Sequence, residues 1–278
     1  IFLTFHFLQG FSDSVNISLI GLALADLGCL IPVLWKTVSF NPLFHYSDIP
    51  FDSVDIQYLT SAWPHVCFAR ITGLVTGFIT LERCLCVVLP LTVKRILTPR
   101  RTVLAMAAIY LAMFASVAPV FSVIHFGQKF YDLRNRSLYG LVYDADGAAV
   151  ENVSFTITIF AQLFSILLVV TCTAVTTIKL KTNSKWRRSV GSASAHGGGE
   201  LTRRDKKVVK MVVFISCIFI TCFLPTAVNL IMGLFVTEYS FIGKFRNVYQ
   251  VVWCGVYVLE TTNSSVNIVV YYNMSSKY

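Results

Sequence analysis

Six segments of this chain run for roughly 20 residues or more almost without charge, enough at about 1.5 Å per helical residue to cross a hydrocarbon core of about 30 Å. They lie near 15–38, 58–89, 102–126, 153–178, 208–236 and 248–272. Inside hydrocarbon every backbone N–H and C=O must be paired within the spanning structure, so segments of this length fold as helices packed side by side. Composition agrees: 55% of the residues are hydrophobic and 13% charged, with a mean hydropathy of +0.68, outside the range of soluble domains. Residues 1–8 are apolar but too short to span, and read as the tail of a first helix mostly missing from an N-terminally truncated fragment. The expected architecture is an all-α membrane protein, a single seven-transmembrane helix bundle over residues 1–278.

The net charge of +9 does not signal nucleic acid, because the basic residues are sorted by loop. Lys94, Arg95, Arg100 and Arg101 fall between the second and third spans, and ten more, from Lys179 to Lys210, surround the loop between the fourth and fifth. The alternate loops are acidic, with Asp48, Asp52 and Asp55 in one and Asp132, Asp144, Asp146 and Glu151 in another. The positive-inside rule makes the basic loops and the C-terminus cytoplasmic in a plasma-membrane protein, with the basic clusters resting on anionic lipid. Between those clusters, residues 184–202 are Ser/Gly-rich and expected to form a flexible cytoplasmic loop. The outer loop 125–152 carries two glycosylation sequons, Asn135-Arg136-Ser137 and Asn152-Val153-Ser154. All eight cysteines lie in or beside apolar segments, so no structural disulfide is expected, and no Cys/His spacing suits zinc.

Ionisable groups inside the spans are expensive and therefore informative. Asp26 sits in the middle of the first full span, read either as an ion or proton site or as a hydrogen bond between helices. On the next span Thr72 follows His65 by seven residues and Arg83 follows Thr72 by eleven, so the three fall within about 20° of one line, with His65 and Arg83 roughly 27 Å apart. Arg70 is turned about 140° from that line and is expected to face a different neighbour or to snorkel. On the fifth full span Pro225 cannot donate to the carbonyl of Thr221, which predicts a kink, and Phe219, Cys222, Thr226 and Asn229 share a face there. The last span carries a polar seam of Glu260, Asn263/Ser264, Asn267 and Tyr271. Glu260 could face His65 across the bundle, a pair that either reads a polar ligand or joins two helices.

Taken in order, these motifs resemble those of the rhodopsin-like (class A) G-protein-coupled receptors along essentially the whole chain. Asn16, Leu19, Leu22, Ala23 and Asp26 stand as N-x-x-L-x-x-L-A-x-x-D, and Glu82-Arg83-Cys84 stands for acid-Arg-Tyr, followed by Pro90-Leu91. Phe219, Cys222, Phe223 and Pro225 look like F-x-x-C-W-x-P with Phe for Trp, while Asn267 to Tyr271 look like N-P-x-x-Y with Ile268 for the proline. More narrowly, the ERC triplet and the Tyr-rich C-terminus are similar to invertebrate, molluscan-like chemosensory receptors.

The resemblance implies a receptor that passes binding of an extracellular small molecule or peptide to a heterotrimeric G protein. It makes Glu82, Arg83, Cys84, Asp205 and Tyr271 the cytoplasmic switch, with Glu82 holding Arg83 and Asp205 as a second acid. Phe219, Cys222, Phe223 and Pro225 become the moving kink. An internal sodium pocket of Asp26, Thr72, Asn263, Ser264 and Asn267 is implied, with no other cofactor, and a ligand pocket at His65, Arg70 and Glu260. The family's outer disulfide would begin near Tyr58; neither that position nor the outer loop has a cysteine, so that loop is expected to be less tethered.

Asp26, Arg70 and Glu260 would also suit a secondary transporter or channel, but neither internal repeats nor paired broken helices are found. A retinal-binding receptor is disfavoured because the last span has no lysine, with Thr261 where one would be sought. No nucleophile–base constellation or phosphate-cradling loop suggests an enzyme.

Overall fold

The computed structural model describes residues 14–275 except 91, 133–134, 192–202, 237 and 240–243. The segment read as a truncated first span, residues 1–8, lies outside the described residues. Six long helices follow: α1 (Ser14–Ser39), α2 (Trp63–Val88), α3 (Pro99–Val117), α4 (Gly147–Gly191), α5 (Arg203–Phe235) and α6 (Arg246–Ser275). Five stretches containing α1 to α5 are long and apolar enough to cross a membrane. α6 carries the polar seam on an otherwise apolar helix.

α2 is the hub. It packs most extensively on α4 and α1 and also touches α3 and α5, while α6 closes against α5 and α1. The burial of its most apolar window, 56% against 22% for α3, follows from that position. Pro64 opens α2 without an N–H to offer, and the preceding turn Tyr58–Ala62 widens into a π-helix that extends the span to Ser53. α1 approaches α2 closely at Gly28, where an added Cβ would stand 2.5 Å from the Phe68 ring, itself packed edge-on against Phe114 of α3. Buried apolar residues form one cluster along α1, α2 and α3, including Leu22, Ile71, Val75 and Met113, and a second around Phe219 and Phe223 of α5.

Two sequence expectations are corrected here, and one element is new. The third span ends earlier than 126: Pro119 interrupts α3, one helical turn resumes at Val120–Val123, and Ile124 is already extended. The outer loop carries secondary structure for which the sequence reading had no expectation. Strands β1 (Ile124–Tyr131) and β2 (Arg136–Tyr143) form an antiparallel hairpin, Ile124 opposite Tyr143 and Tyr131 opposite Arg136. Residues 184–191, assigned to a flexible loop, instead continue α4, since Lys185, Trp186, Arg187 and Arg188 are compatible with helix and the first glycine comes only at Gly191; residues 192–202 are outside the described set.

The hairpin is also not loosely tethered. Asp55 Oδ2 accepts from the Tyr131 hydroxyl at 2.5 Å and from the Leu141 N–H at 3.1 Å, with Lys129 Nζ 3.9 Å away. Tyr139 exchanges backbone bonds with the first outer loop, its carbonyl accepting from Asp52 at 2.9 Å and its N–H donating to Pro50 at 3.0 Å. Arg136 pairs with Asp48, and the Tyr58 hydroxyl donates to Glu151 at the start of α4. All eight cysteines are free thiols. Hydrogen bonds and charges therefore hold the element that the family resemblance would staple covalently.

Candidate functional site

The centre of the site is one carboxylate held by three helices. Glu260 of α6, 1% exposed, takes His65 Nε2 of α2 on Oε2 at 2.9 Å. Its Oε1 accepts from Arg70 Nη2 at 2.6 Å and from the Thr226 hydroxyl of α5 at 3.1 Å. His65 Nδ1 lies 3.0 Å from the Cys29 carbonyl and 3.4 Å from the Cys29 Sγ of α1, so the imidazole bridges α1 to Glu260 of α6. A charge this deep persists only when paired and hydrogen-bonded, as Glu260 is on both oxygens.

The expectation that Arg70 faces a different neighbour is overturned. It reaches the same Glu260 as His65. The angular argument located the backbone and left out the reach of a long side chain, which bends toward a carboxylate lying between the levels of His65 and Arg70, about 7.5 Å apart along the axis. Thr226, one residue past Pro225, was placed on the right face by spacing but given no role.

From this cluster an aromatic ladder climbs α6 toward the hairpin end. Tyr257 lies 4.7 Å from the His65 ring, Trp253 5.8 Å from Tyr257, Tyr249 6.0 Å from Trp253, and Tyr239 5.3 Å from Tyr249. The signal was in the sequence: Tyr249, Trp253 and Tyr257 recur at every fourth residue, one helix face. Lys36 of α1 sets its Nζ 3.1 Å from the centroid of the Tyr257 ring, a cation–π contact the sequence reading did not foresee. On the other side, Phe223 lies 5.8 Å from the Arg70 guanidinium and stacks at 4.6 Å on Phe219. Phe219, Cys222 and Phe223 are all buried, within two turns of Pro225 inside α5.

Deeper along α2, Asp26 is fully buried and accepts from Thr72 on Oδ1 and from Asn267 Nδ2 on Oδ2, each at 3.1 Å. Asn263 is buried with neither polar atom bonded among the described residues. Ser264 lies against Asp26, yet its hydroxyl meets no hydrogen-bond geometry. A carboxylate, two hydroxyls and an unengaged amide oxygen make an all-oxygen donor set of the kind hard cations take.

At the far end of α2, Glu82 is buried and bonded away from its neighbour. Ser14 donates to Oε1 at 2.8 Å, Ser18 to Oε2 at 2.9 Å, and Thr102 to Oε1 at 3.5 Å. Among the described residues no hydrogen bond or ion pair joins Glu82 to Arg83, contrary to the role the resemblance gave it; the helical turn directs adjacent side chains to different faces, and three hydroxyls supply Glu82's bonds. Arg83 is half-buried and Cys84 buried. Asp205 and Tyr271 fall in α5 and α6, but their side chains lie outside the described residues. Of the two sequon asparagines, Asn135 is exposed in the hairpin turn with φ 47°, and Asn152 is exposed near the start of α4.

A chain whose hub helix links a buried ion cluster, a buried acid and an acid–Arg pair has the plan of a seven-helix receptor. Residues 2–271 match the 7 transmembrane receptor (rhodopsin family), and the chain belongs to that family of multi-pass membrane receptors, which are not enzymes. It is 24% identical over 283 residues to an Allatostatin-A receptor of Bombyx mori, covering 97% of this chain and 69% of the relative. It is 26% identical over 286 residues to the Galanin-like G-protein coupled receptor npr-9 of Caenorhabditis elegans, covering 96% and 64%. A QRFP-like peptide receptor of Branchiostoma floridae is 24% identical over 233 residues, covering 82% and 59%. The chain thus spans about three-fifths to two-thirds of the length of these relatives.

Proposed function

We propose that this chain is a plasma-membrane G-protein-coupled receptor, with its basic loops and C-terminus in the cytoplasm, that converts binding of an extracellular ligand into activation of a heterotrimeric G protein. The observation that carries the proposal is the buried polar axis of α2, from His65 and Arg70 on Glu260, past Thr72 on Asp26, to the Glu82-Arg83 pair. The relatives' names, one of them a peptide receptor, favour a peptide as the ligand.

The geometry supports a route from ligand to G protein. Glu260 joins α6 to α2 through His65 and Arg70, and to α5 through Thr226. A ligand that binds one arrangement of this cluster better than another shifts the population of α5 positions relative to α2, by no more than its difference in affinity. Pro225, beside Thr226, leaves the Thr221 carbonyl without its helical donor, so α5 bends there at least cost. With Glu82 occupied by hydroxyls, Arg83 is available to a G-protein α-subunit, and Asp205 is assigned as its second acid. A sodium ion would be held by Asp26, Thr72, Ser264 and the Asn263 and Asn267 amides. When bound, it neutralises the buried carboxylate.

The test is a peptide library applied to cells expressing the receptor with a promiscuous G protein, read as calcium release. Arg83→Ala should abolish the response while surface expression stays intact. A preserved response would refute the assignment.

A further inference from the structure

From the chemistry of the groups left without partners at the hairpin end, we infer that the ligand presents a carboxylate beside an aromatic ring, with the carboxylate on Lys36 and the ring against the Trp253–Tyr257 ladder. The inference rests on the receptor reading above and deepens it. Lys36 sits near the end of α1, half-buried, with its ammonium 3.1 Å from the Tyr257 centroid and 5.8 Å from that of Phe40. None of the ion pairs among the described residues includes it. The nearest buried acid cannot serve it, because Glu260 gives one oxygen to His65 and the other to Arg70 and Thr226. An aromatic face attracts a cation but offers it no lone pair, so the ammonium keeps its hydrogen-bond donors unspent.

Two groups on or beside the ladder are also donors. Trp253 Nε1, an obligate donor, is buried against Tyr249 without meeting hydrogen-bond geometry, and Asn229 Nδ2, whose Oδ1 already accepts from the Tyr239 hydroxyl of the ladder, has no acceptor. A lysine with no ion-pair partner and unengaged donors along the ladder suit an acceptor-rich, negatively charged guest. Trp253, Tyr257 and Tyr249 remain half-buried, leaving ring surface for an aromatic group of the guest. The acidic loop residues Asp48 and Asp55 do not oppose this, because Arg136, Lys129 and the Tyr131 hydroxyl engage them.

The carboxylate could be a peptide's C-terminus or an acidic side chain, and matched probes separate the two. Purified full chain in detergent would be titrated with N-acetylphenylalanine, N-acetylphenylalanine amide, N-acetyl-Asp-Phe amide and phenethylamine, followed by ligand-observed NMR and thermal shift. Binding of N-acetylphenylalanine at least about tenfold tighter than its amide, with phenethylamine weaker still, supports the inference with a terminal carboxylate. Binding of the Asp-Phe amide alone supports it with a side-chain carboxylate. Lys36→Met should abolish the preference, Lys36→Arg retain it, and Lys36→Glu transfer it to phenethylamine; the Arg and Glu variants keep the test decisive if Met destabilises the bundle. Equal affinity for acid and amide, tighter binding of phenethylamine, or an unchanged preference in Lys36→Met would overturn the inference. The readout needs no G protein, so its failure is separable from failure of the Arg83 test.

Discussion

Glu260 and Asp26 are two buried carboxylates with different company, and their substitutions should behave differently. Glu260 faces Arg70 and His65, so Glu260→Gln leaves cationic groups buried without a counter-charge. Removing one partner of such a pair costs about 3–5 kcal/mol, which should appear as a large drop in the thermal unfolding midpoint in detergent. Replacing Asp26, which has only neutral donors, by Asn removes a charge without stranding another. Asp26→Asn should keep the bundle folded but erase any stabilisation by sodium chloride over choline chloride, measured as the difference between the two melting curves. Much of this was legible in the sequence, because isolated charges in apolar spans announce themselves and His65 and Glu260 each stand on a polar stripe of their own helix, from which a facing pair was one of two readings. Arg70 was misread because spacing locates a Cα and a guanidinium acts several bonds away. Lys36 was missed because a lysine near a span's end ordinarily snorkels to the interface, and nothing in the sequence says that Tyr257 turns it inward.

At the scale of elements, close approaches set what can change. A Cβ on Gly28 would stand 2.5 Å from Phe68, which Phe114 prevents from yielding freely. Gly28→Val should therefore force α1 away from α2 at a cost of about 1–3 kcal/mol, checked by thermal unfolding, with Gly233→Val as the control because nothing crowds that position within 4 Å. Gly140 of β2 plays a similar part in the hairpin, since a methyl there would run into the Tyr131 hydroxyl and stand 2.7 Å from Asp55 Oδ2. Gly140→Ala should release that clasp and speed deuterium exchange at the Leu141 amide, which Asp55 accepts, while the helices stay protected. The helices were readable because long apolar runs admit one structure; the hairpin was not. Most of β1 is exposed, so the hairpin lacks the clean alternation that a half-buried sheet imprints on sequence. The extension of α4 to Gly191 escaped notice because a polar helix beyond an apolar span looks, by composition, like a linker.

For the molecule as a whole, the ordering of the bundle around α2 explains why one helix carries so much of the polar machinery. A helix touched on most sides can bury ionisable groups along its length, whereas α3, with only 22% of its apolar window buried, meets its neighbours on a narrow face. The proposed orientation has a direct check at this scale. Both sequon asparagines lie toward the hairpin end, Asn135 in the hairpin turn and Asn152 just after it. Expression in a glycosylating cell should give a species whose apparent mass falls on N-glycanase treatment, and Asn135→Gln should remove part of that shift. The absence of any shift would place the hairpin on the cytoplasmic side.

The ties between Asp55, Tyr131 and Leu141, and between Tyr58 and Glu151, form without an oxidation step. The hairpin can therefore dock as soon as the chain is inserted, in a reducing compartment as readily as in an oxidising one. Dithiothreitol should leave its melting unchanged. High salt, which shortens the Debye length from about 10 Å at 0.1 M to about 3 Å at 1 M, should loosen the exposed pairs Lys129–Asp55 and Arg136–Asp48 instead. Docking of the hairpin is thus governed by ionic conditions and insertion, with redox state left out of its maturation.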